Sequence, residues 1–145
     1  MKVELGNSRF LYQCCDVHNE NWQLVDGQLM AFIEKHPKLN LRSDQTVLYF
    51  FDDNQSEYWV SREIVGYPTG LPDSYQVEDF SGGECLQVLC SKNWFELTMD
   101  ELLSLGRRSK AEAESAGEKL APTWRVVIDW QQEAPKLWFN YFFLI

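Results

Sequence analysis

Between Arg9 and Val17 the chain alternates: Phe10, Tyr12 and Cys14 interleave with Leu11, Gln13 and Cys15. A period of two is the mark of a strand. The period then lengthens. Trp22, Val25, Leu29, Phe32 and Ile33 recur at helical spacing and predict a helix over Trp22–His36. Asn19 or Asn21 can cap it by accepting an orphan backbone N–H bond. Pro37 ends it, and His36 is expected to meet the last helical carbonyls. Lys38–Gln45 is polar and reads as a loop. Thr46–Phe51 is an apolar strand, Asp52–Ser56 has the chemistry of a hairpin turn, and Tyr58–Val65 is the returning strand.

The same order then recurs. Gly66–Asp73 is rich in glycine and proline and reads as the link between two halves. Tyr75–Phe80 is a strand, Ser81-Gly82-Gly83 a turn with Gly83 at positive φ, and Cys85–Cys90 another strand. Thr98 and Glu101 form a capping box that opens a helix over Thr98–Leu120. Gly106 inside that helix is a place for a kink, and Ala121-Pro122-Thr123 closes it. Strand Trp124–Trp130, turn Gln131–Pro135 and strand Leu137–Ile145 complete the pattern. The fold class is therefore α+β, built from duplicated strand-helix-hairpin units. We expect a single domain over residues 1–145, with halves of about 1–68 and 73–145. Its mainly antiparallel curved sheet should carry two helices on one face and a ligand pocket on the other. Asp52 and Asp129 fall at matching places in the two copies, and a pseudo-two-fold axis is expected to bring them near each other.

Charge narrows the function. The formal net charge is −9, which opposes phosphate binding and suits cationic partners. Arg107, Arg108 and Lys110 are interleaved with Glu112 and Glu114 and read as a solvated helix face. Direct nucleic-acid binding, with no recognition segment in view, is not expected. The N-terminus has no apolar leader and no run is long enough for a membrane span, which points to a cytoplasmic protein. The four cysteines form no Cys-x-x-Cys pair, and Cys14 and Cys15 point to opposite strand faces, so no metal site is expected. His18 and His36 belong to no catalytic order, and no phosphate loop is present. Neither enzymatic activity nor a cofactor is expected.

The candidate site lies on strand faces of mixed character. Tyr58, Val60 and Ile64 form one apolar face, whereas Trp59, Ser61 and Glu63 share the other. Trp138 likewise alternates with Asn140. Aromatic rings beside an acid suit a pocket: the rings accept many shapes, and a desolvated carboxylate asks for a cation. The site residues so indicated are Asp129, Glu63, Trp59, Trp138, Asn140 and Ser61. For each a structural role stays open: Asp129 as a turn residue, Glu63 as a cross-strand partner of a base, the tryptophans as core rings. Asp52 and Asp53 read as turn residues only.

These residues carry a resemblance. The chain is similar to the gyrase-inhibitor-like effector-binding domains, which also serve as ligand-sensing modules of AraC-type and MerR-type transcription regulators. The match rests on Tyr49-Phe50-Phe51-Asp52-Asp53 followed by Tyr58 to Gly66, and on Val77–Gly83, with Ser81 where the family has proline. It rests also on Ile128-Asp129-Trp130-Gln131 with Pro135 beyond, where Asp replaces the family's Glu and Gln its Tyr. The resemblance implies a pocket for amphipathic, cationic small molecules with Asp129 as the pairing acid. It also implies a stand-alone module of the mobile-cassette type, acting through a partner or by sequestration. The alternative is a protein-interaction module that tunes a partner enzyme through its acidic surface.

Overall fold

The computed structural model describes residues 1–19, 21–131 and 133–144. Their elements are β1 (Lys2–Leu5), β2 (Ser8–Asp16), α1 (Trp22–Lys35), β3 (Asn40–Phe51) and β4 (Glu57–Val65), followed by β5 (Tyr75–Phe80) and β6 (Gly83–Leu89). A short 3-10 turn, Trp94–Glu96, precedes α2 (Met99–Ser115), β7 (Leu120–Asp129) and β8 (Lys136–Phe143). The fold is α+β. Eight strands form one curved, antiparallel sheet in the order β1-β6-β8-β7-β3-β4-β2-β5.

That order reads symmetrically from its centre. Beside β3 lie β4 and then β2, and beside β7 lie β8 and then β6. Leu48 and Val126 are partners at the middle of the β3–β7 ladder. Each unit's leading strand pairs with the other unit: β1 with β6, and β5 with β2. Only Gly6-Asn7 separates β1 from β2, and only Ser81-Gly82 separates β5 from β6. The register is the same on both sides of these links, with Leu5 opposite Gly83 and Ser8 opposite Phe80. The two outermost strands are thus ends of one interrupted ladder, and the sheet must curl steeply for its edges to meet there.

The crossing is tight. A Cβ on Gly82 would lie 2.3 Å from the Leu5 carbonyl oxygen, and the Gly82 N–H donates to Asn7 Oδ1 at 2.7 Å. The expected turn at Ser81–Gly83 is therefore a strand crossing. Gly83 does not take a positive φ; Gly66, Gly70 and Gly117 do.

Both helices pack on one face of the sheet. Val25, Leu29 and Ile33 of α1 and Leu102 and Leu103 of α2 join Leu48, Phe50, Val60, Trp124, Val126 and Phe139 in one core. Asn21 caps α1 by accepting from the Gln23 N–H, and Thr98 and Glu101 form the capping box of α2. His36 caps the end of α1, where its backbone N–H donates to the Phe32 and Ile33 carbonyls, and its ring bonds to the backbone of Thr69, which ties the helix end to the inter-unit link.

Two buried charges anchor these helices. Arg62 of β4 donates Nε and Nη2 to the two carboxylate oxygens of Asp26 on α1, at 2.7 and 2.9 Å. Lys110 of α2 is buried and pairs with Asp52, which also accepts from Trp124 Nε1 at 3.2 Å. Lys110 is thus no solvated helix residue, and Asp52 no mere turn residue. Nor does Asp52 approach Asp129. The Asp52 N–H bonds to the Pro122 carbonyl, whereas Asp129 pairs with Gln45 at the other end of the same ladder. A two-fold axis through an antiparallel pair sends equivalent strand ends to opposite ends of the sheet.

Other departures have local causes. β1 was not foreseen, because four half-exposed residues carry little pattern. Asn40–Gln45 is strand rather than loop: it is polar and alternates between exposed and half-buried, with a register shift before Thr46. Ala121–Thr123 belongs to β7 and not to a helix end, at an irregularity where Pro122 has no N–H to give. Helix α2 ends at Ser115, and Gly106 does not interrupt it. The expected last strand runs to Ile145, which lies outside the described residues, as does Gln132 of the expected turn.

Gly106 instead allows close approach. A Cβ there would meet Trp124 at 2.4 Å, and Tyr141 donates its hydroxyl to the Gly106 carbonyl at 2.5 Å. Alanine is better than glycine in a helix by about 1 kcal/mol, but overpacking a buried ring costs about 1–3 kcal/mol. Overpacking should win, so Gly106→Ala lowers stability in urea unfolding, the reverse of the usual glycine-to-alanine effect. Removing one partner of a buried pair costs about 3–5 kcal/mol. Among the described residues Asp26→Ala leaves Arg62 only the exposed Asp44 at 3.4 Å as an acid, and a loss of that size in the same assay is the expected outcome.

Candidate functional site

The face opposite the helices is concave. Period-two alternation sets Val47 and Tyr49 of β3, Arg125 and Val127 of β7, Trp59, Ser61 and Glu63 of β4, and Trp138 and Asn140 of β8 on that side. Its apolar floor is Phe10, Val47, Tyr49 and Val127, flanked by Phe51, Trp59, Phe80, Trp138 and Phe142. The curl of the sheet brings its edge over its centre. Phe80 of β5 stacks on Tyr49 of β3 at 5.0 Å and 5°, and Phe10 of β2 meets both edge-on at 5.6 and 5.7 Å.

A cavity of about 610 Å³ opens here. Its walls include Phe10, Tyr49, Phe80 and Phe142, and its charged groups are Arg42, Glu63 and Arg125. Asn7 and Ser81 of the crossing form part of the rim. A cavity of about 280 Å³ lies beside it, lined by Gln45, Gln87, Asp129, Lys136, Trp138 and Asn140. Leu5 and Arg125 line both and form the shared wall.

Glu63 is half-buried, and Arg42 is its nearest base at 3.9 Å. Burial pushes its carboxyl above the usual range, while Arg42 and then Arg125 pull the other way. Arg125 is 9 % exposed. Its Nε donates to Asn140 Oδ1 at 2.9 Å and its Nη1 to the Tyr49 hydroxyl at 3.3 Å. Burial raises the Tyr49 phenol, and Arg125 opposes that rise.

The six residues indicated by sequence all lie on this face, but they do not form one cluster. Glu63 lines the large cavity; Asp129, Trp138 and Asn140 line the small one. Asp129 stands opposite Lys136 and accepts from the Gln131 N–H at 3.0 Å, a turn contact. Trp59 stacks on Tyr12 at 4.0 Å and packs against Phe51. Ser61 is fully buried, and its hydroxyl donates to the Val47 carbonyl at 2.7 Å. Arg125, Arg42 and the Phe10–Tyr49–Phe80 cluster were missed. A lone arginine before Val126-Val127-Ile128, on the same strand face as Asp129, was the readable sign of the first. Among the described residues no group of three or more His, Cys, Asp or Glu could hold a metal ion, and no helix is long and apolar enough to cross a membrane.

A carboxyl whose folded pKa is raised above its unfolded value favours the fold when neutral. That contribution is complete below the unfolded pKa and is lost as pH rises through the folded one. Glu63→Gln should therefore melt roughly one to two degrees above the parent at pH 7. The gap should close towards pH 4. A gap that widens on acidification would contradict the burial argument.

No protein-family model matches the chain, and no curated protein matches its sequence. Solved structures do share the fold. EcmrR in the cryo-EM structure of its DNA complex superimposes with a TM-score of 0.72 at 11% identity, over 98% of this chain. The chain spans 55% of the length of that EcmrR chain. The crystal structure of the EcmrR C-terminal domain matches with a TM-score of 0.64 at 12% identity, over 99% of this chain and 94% of that one. A hydrolase from Listeria innocua matches with a TM-score of 0.54 at 8% identity, over 99% and 90% of the two chains.

Proposed function

We propose that this chain is a ligand-binding module that takes an amphipathic small molecule into the large concave cavity. One observation carries the reading: an aromatic-walled space of about 610 Å³ contains a half-buried carboxylate, Glu63. Small-molecule pockets have this size and this mixture, mostly apolar with a few polar groups. The resemblance to gyrase-inhibitor-like effector-binding domains and the fold shared with the EcmrR C-terminal domain support it.

In this reading a basic group on the ligand meets Glu63 rather than Asp129. Glu63 faces the large cavity and its charge is disfavoured by burial, so a cation gains by restoring it. Asp129 already has Lys136 opposite and a turn N–H to satisfy. Tyr49, Phe10 and Phe80 supply ring faces and edges for the ligand's apolar body. The module acts as a sensor or sequestering protein for such compounds and performs no chemistry on them. As part of a regulator it would pass occupancy on to a partner.

A cationic fluorescent dye and a neutral dye of the same shape test this. The dye should bind, and Glu63→Gln should weaken the cationic one by about one decade or more while shifting the neutral one far less. Asp129→Asn should leave both nearly unchanged. Equal loss of both dyes in Glu63→Gln would make Glu63 structural. Loss confined to Asp129→Asn would move the acid to the smaller cavity.

A further inference from the structure

The large cavity contains a second charge that the reading above does not use. Arg125 is 9 % exposed, and among the described residues no carboxylate lies within ion-pair distance of it. The other buried cations do have acids: Arg62 has Asp26, and Lys110 has Asp52. An arginine removed from water with no acid in contact is costly, and Glu63 reaches it only by attraction at longer range. Ring faces relieve part of the cost, but the Arg125 guanidinium carbon is 6.0 Å from the Tyr49 centroid and 5.8 Å from that of Phe142, near the outer limit of the cation–π effect.

The hydrogen bonds show what is missing. Nε is spent on Asn140 and Nη1 on Tyr49, and Nη2 bonds to no protein group among the described residues but, unlike Asn140 Nδ2, stays open to the solvent of the cavity. Asn140 is itself buried, and its Nδ2 has no acceptor among the described residues. Arg125 holds Asn140 with Oδ1 turned towards Nε, so the amide presents donors to its other side. Arg125 stands between the two cavities whereas Asn140 lines only the smaller one, so of these two groups it is Arg125 that a ligand in the large cavity can meet. The absent group is therefore an acceptor, and next to a guanidinium it is best an anion.

We propose that Arg125 is the receptor for an acidic group, a carboxylate or sulfonate, on the amphipathic ligand of the large cavity. The proposal rests on ligand binding in that cavity. With Glu63 at one side, it makes the preferred ligand one that bears an acid as well as an apolar body, and a pure lipophilic cation a poorer fit. The overall charge of −9 repels anions. Anion selectivity must therefore come from this site and not from the general field.

Two dyes with one core separate the possibilities: anilinonaphthalene sulfonate, which is anionic, and N-phenylnaphthylamine, which lacks the sulfonate. Titrations are read by fluorescence at fixed ionic strength. The sulfonate should bind the parent at least as tightly as the neutral dye. Arg125→Gln should weaken the sulfonate about tenfold or more and leave the neutral dye within about threefold. Asn140→Asp keeps size and folding but supplies an internal counter-ion, so it should raise the melting temperature and weaken the sulfonate by a similar factor. If the neutral dye binds tighter than the sulfonate, or if Arg125→Gln affects both alike, the anion site is overturned while the cavity stands. If Asn140→Asp lowers the melting temperature without affecting the sulfonate, the missing acceptor is overturned as well. If neither dye binds, the ligand-binding reading itself falls.

Discussion

The close crossing of Gly6-Asn7 with Ser81-Gly82 sets the shape of the molecule. An eight-stranded antiparallel sheet can lie open, and its twist alone does not bring its edges together. Here the chain passes directly from one edge to the second strand from the other edge, twice, through two residues each time. The sheet has to curl until those points touch. Gly82 permits the contact, since any Cβ would strike the Leu5 carbonyl, and the bond from Gly82 N–H to Asn7 Oδ1 closes it. The same curl lays Phe80 on Tyr49 and creates the concave cavity. Cavity and crossing share Asn7 and Ser81, so the pocket mouth is built from the residues that force the curvature.

Curvature divides the sheet into two unequal faces. On the convex side the helices pack aliphatic and aromatic side chains onto the sheet, and each of the two buried cations there has its acid. Those pairs dock helices on strands: Asp26 brings α1 to β4, and Lys110 brings α2 to the end of β3. Their value lies in position more than in net stability, since desolvation offsets most of the Coulomb attraction. On the concave side no helix arrives. Rings cover the floor but leave a cavity, and Glu63 and Arg125 face it without mutual contact.

Much of this was legible in the chain. Alternation identified both faces of β4 and β8, and local residues gave the caps: Asn21 as one of two candidates with Asn19, and Thr98 with Glu101 as a capping box. The readings failed where local pattern is silent. The Ser81-Gly82 link looks like a turn, because sequence does not reveal that a strand continues across another sheet edge. Polar Asn40–Gln45 looked like a loop because its partners, β4 and the end of β7, are distant in sequence. Lys110 looked solvated because its acid is 58 residues away. Among the residues that line the large cavity, Glu63 was legible from its neighbours Trp59 and Ser61. Arg125 was not, since its companions Tyr49 and Asn140 stand on other strands.

The large cavity lies where the duplication is imperfect. Around the central Leu48–Val126 pair, two rows of the concave face are related by the axis of the strand order: Tyr49–Arg125 on one side and Val47–Val127 on the other. The valine row is what an unspecialised floor requires, small, β-branched and buried. In the other row the same two positions hold a phenol and a guanidinium, joined to each other and to Asn140 on the next strand. Such a substitution gains nothing for packing, because it places a charge where the related row does without one. Such a difference makes the two ends of an otherwise symmetric face chemically distinct. The strand order supplies the cavity, and the departure of Arg125 and Tyr49 from their valine counterparts supplies its direction.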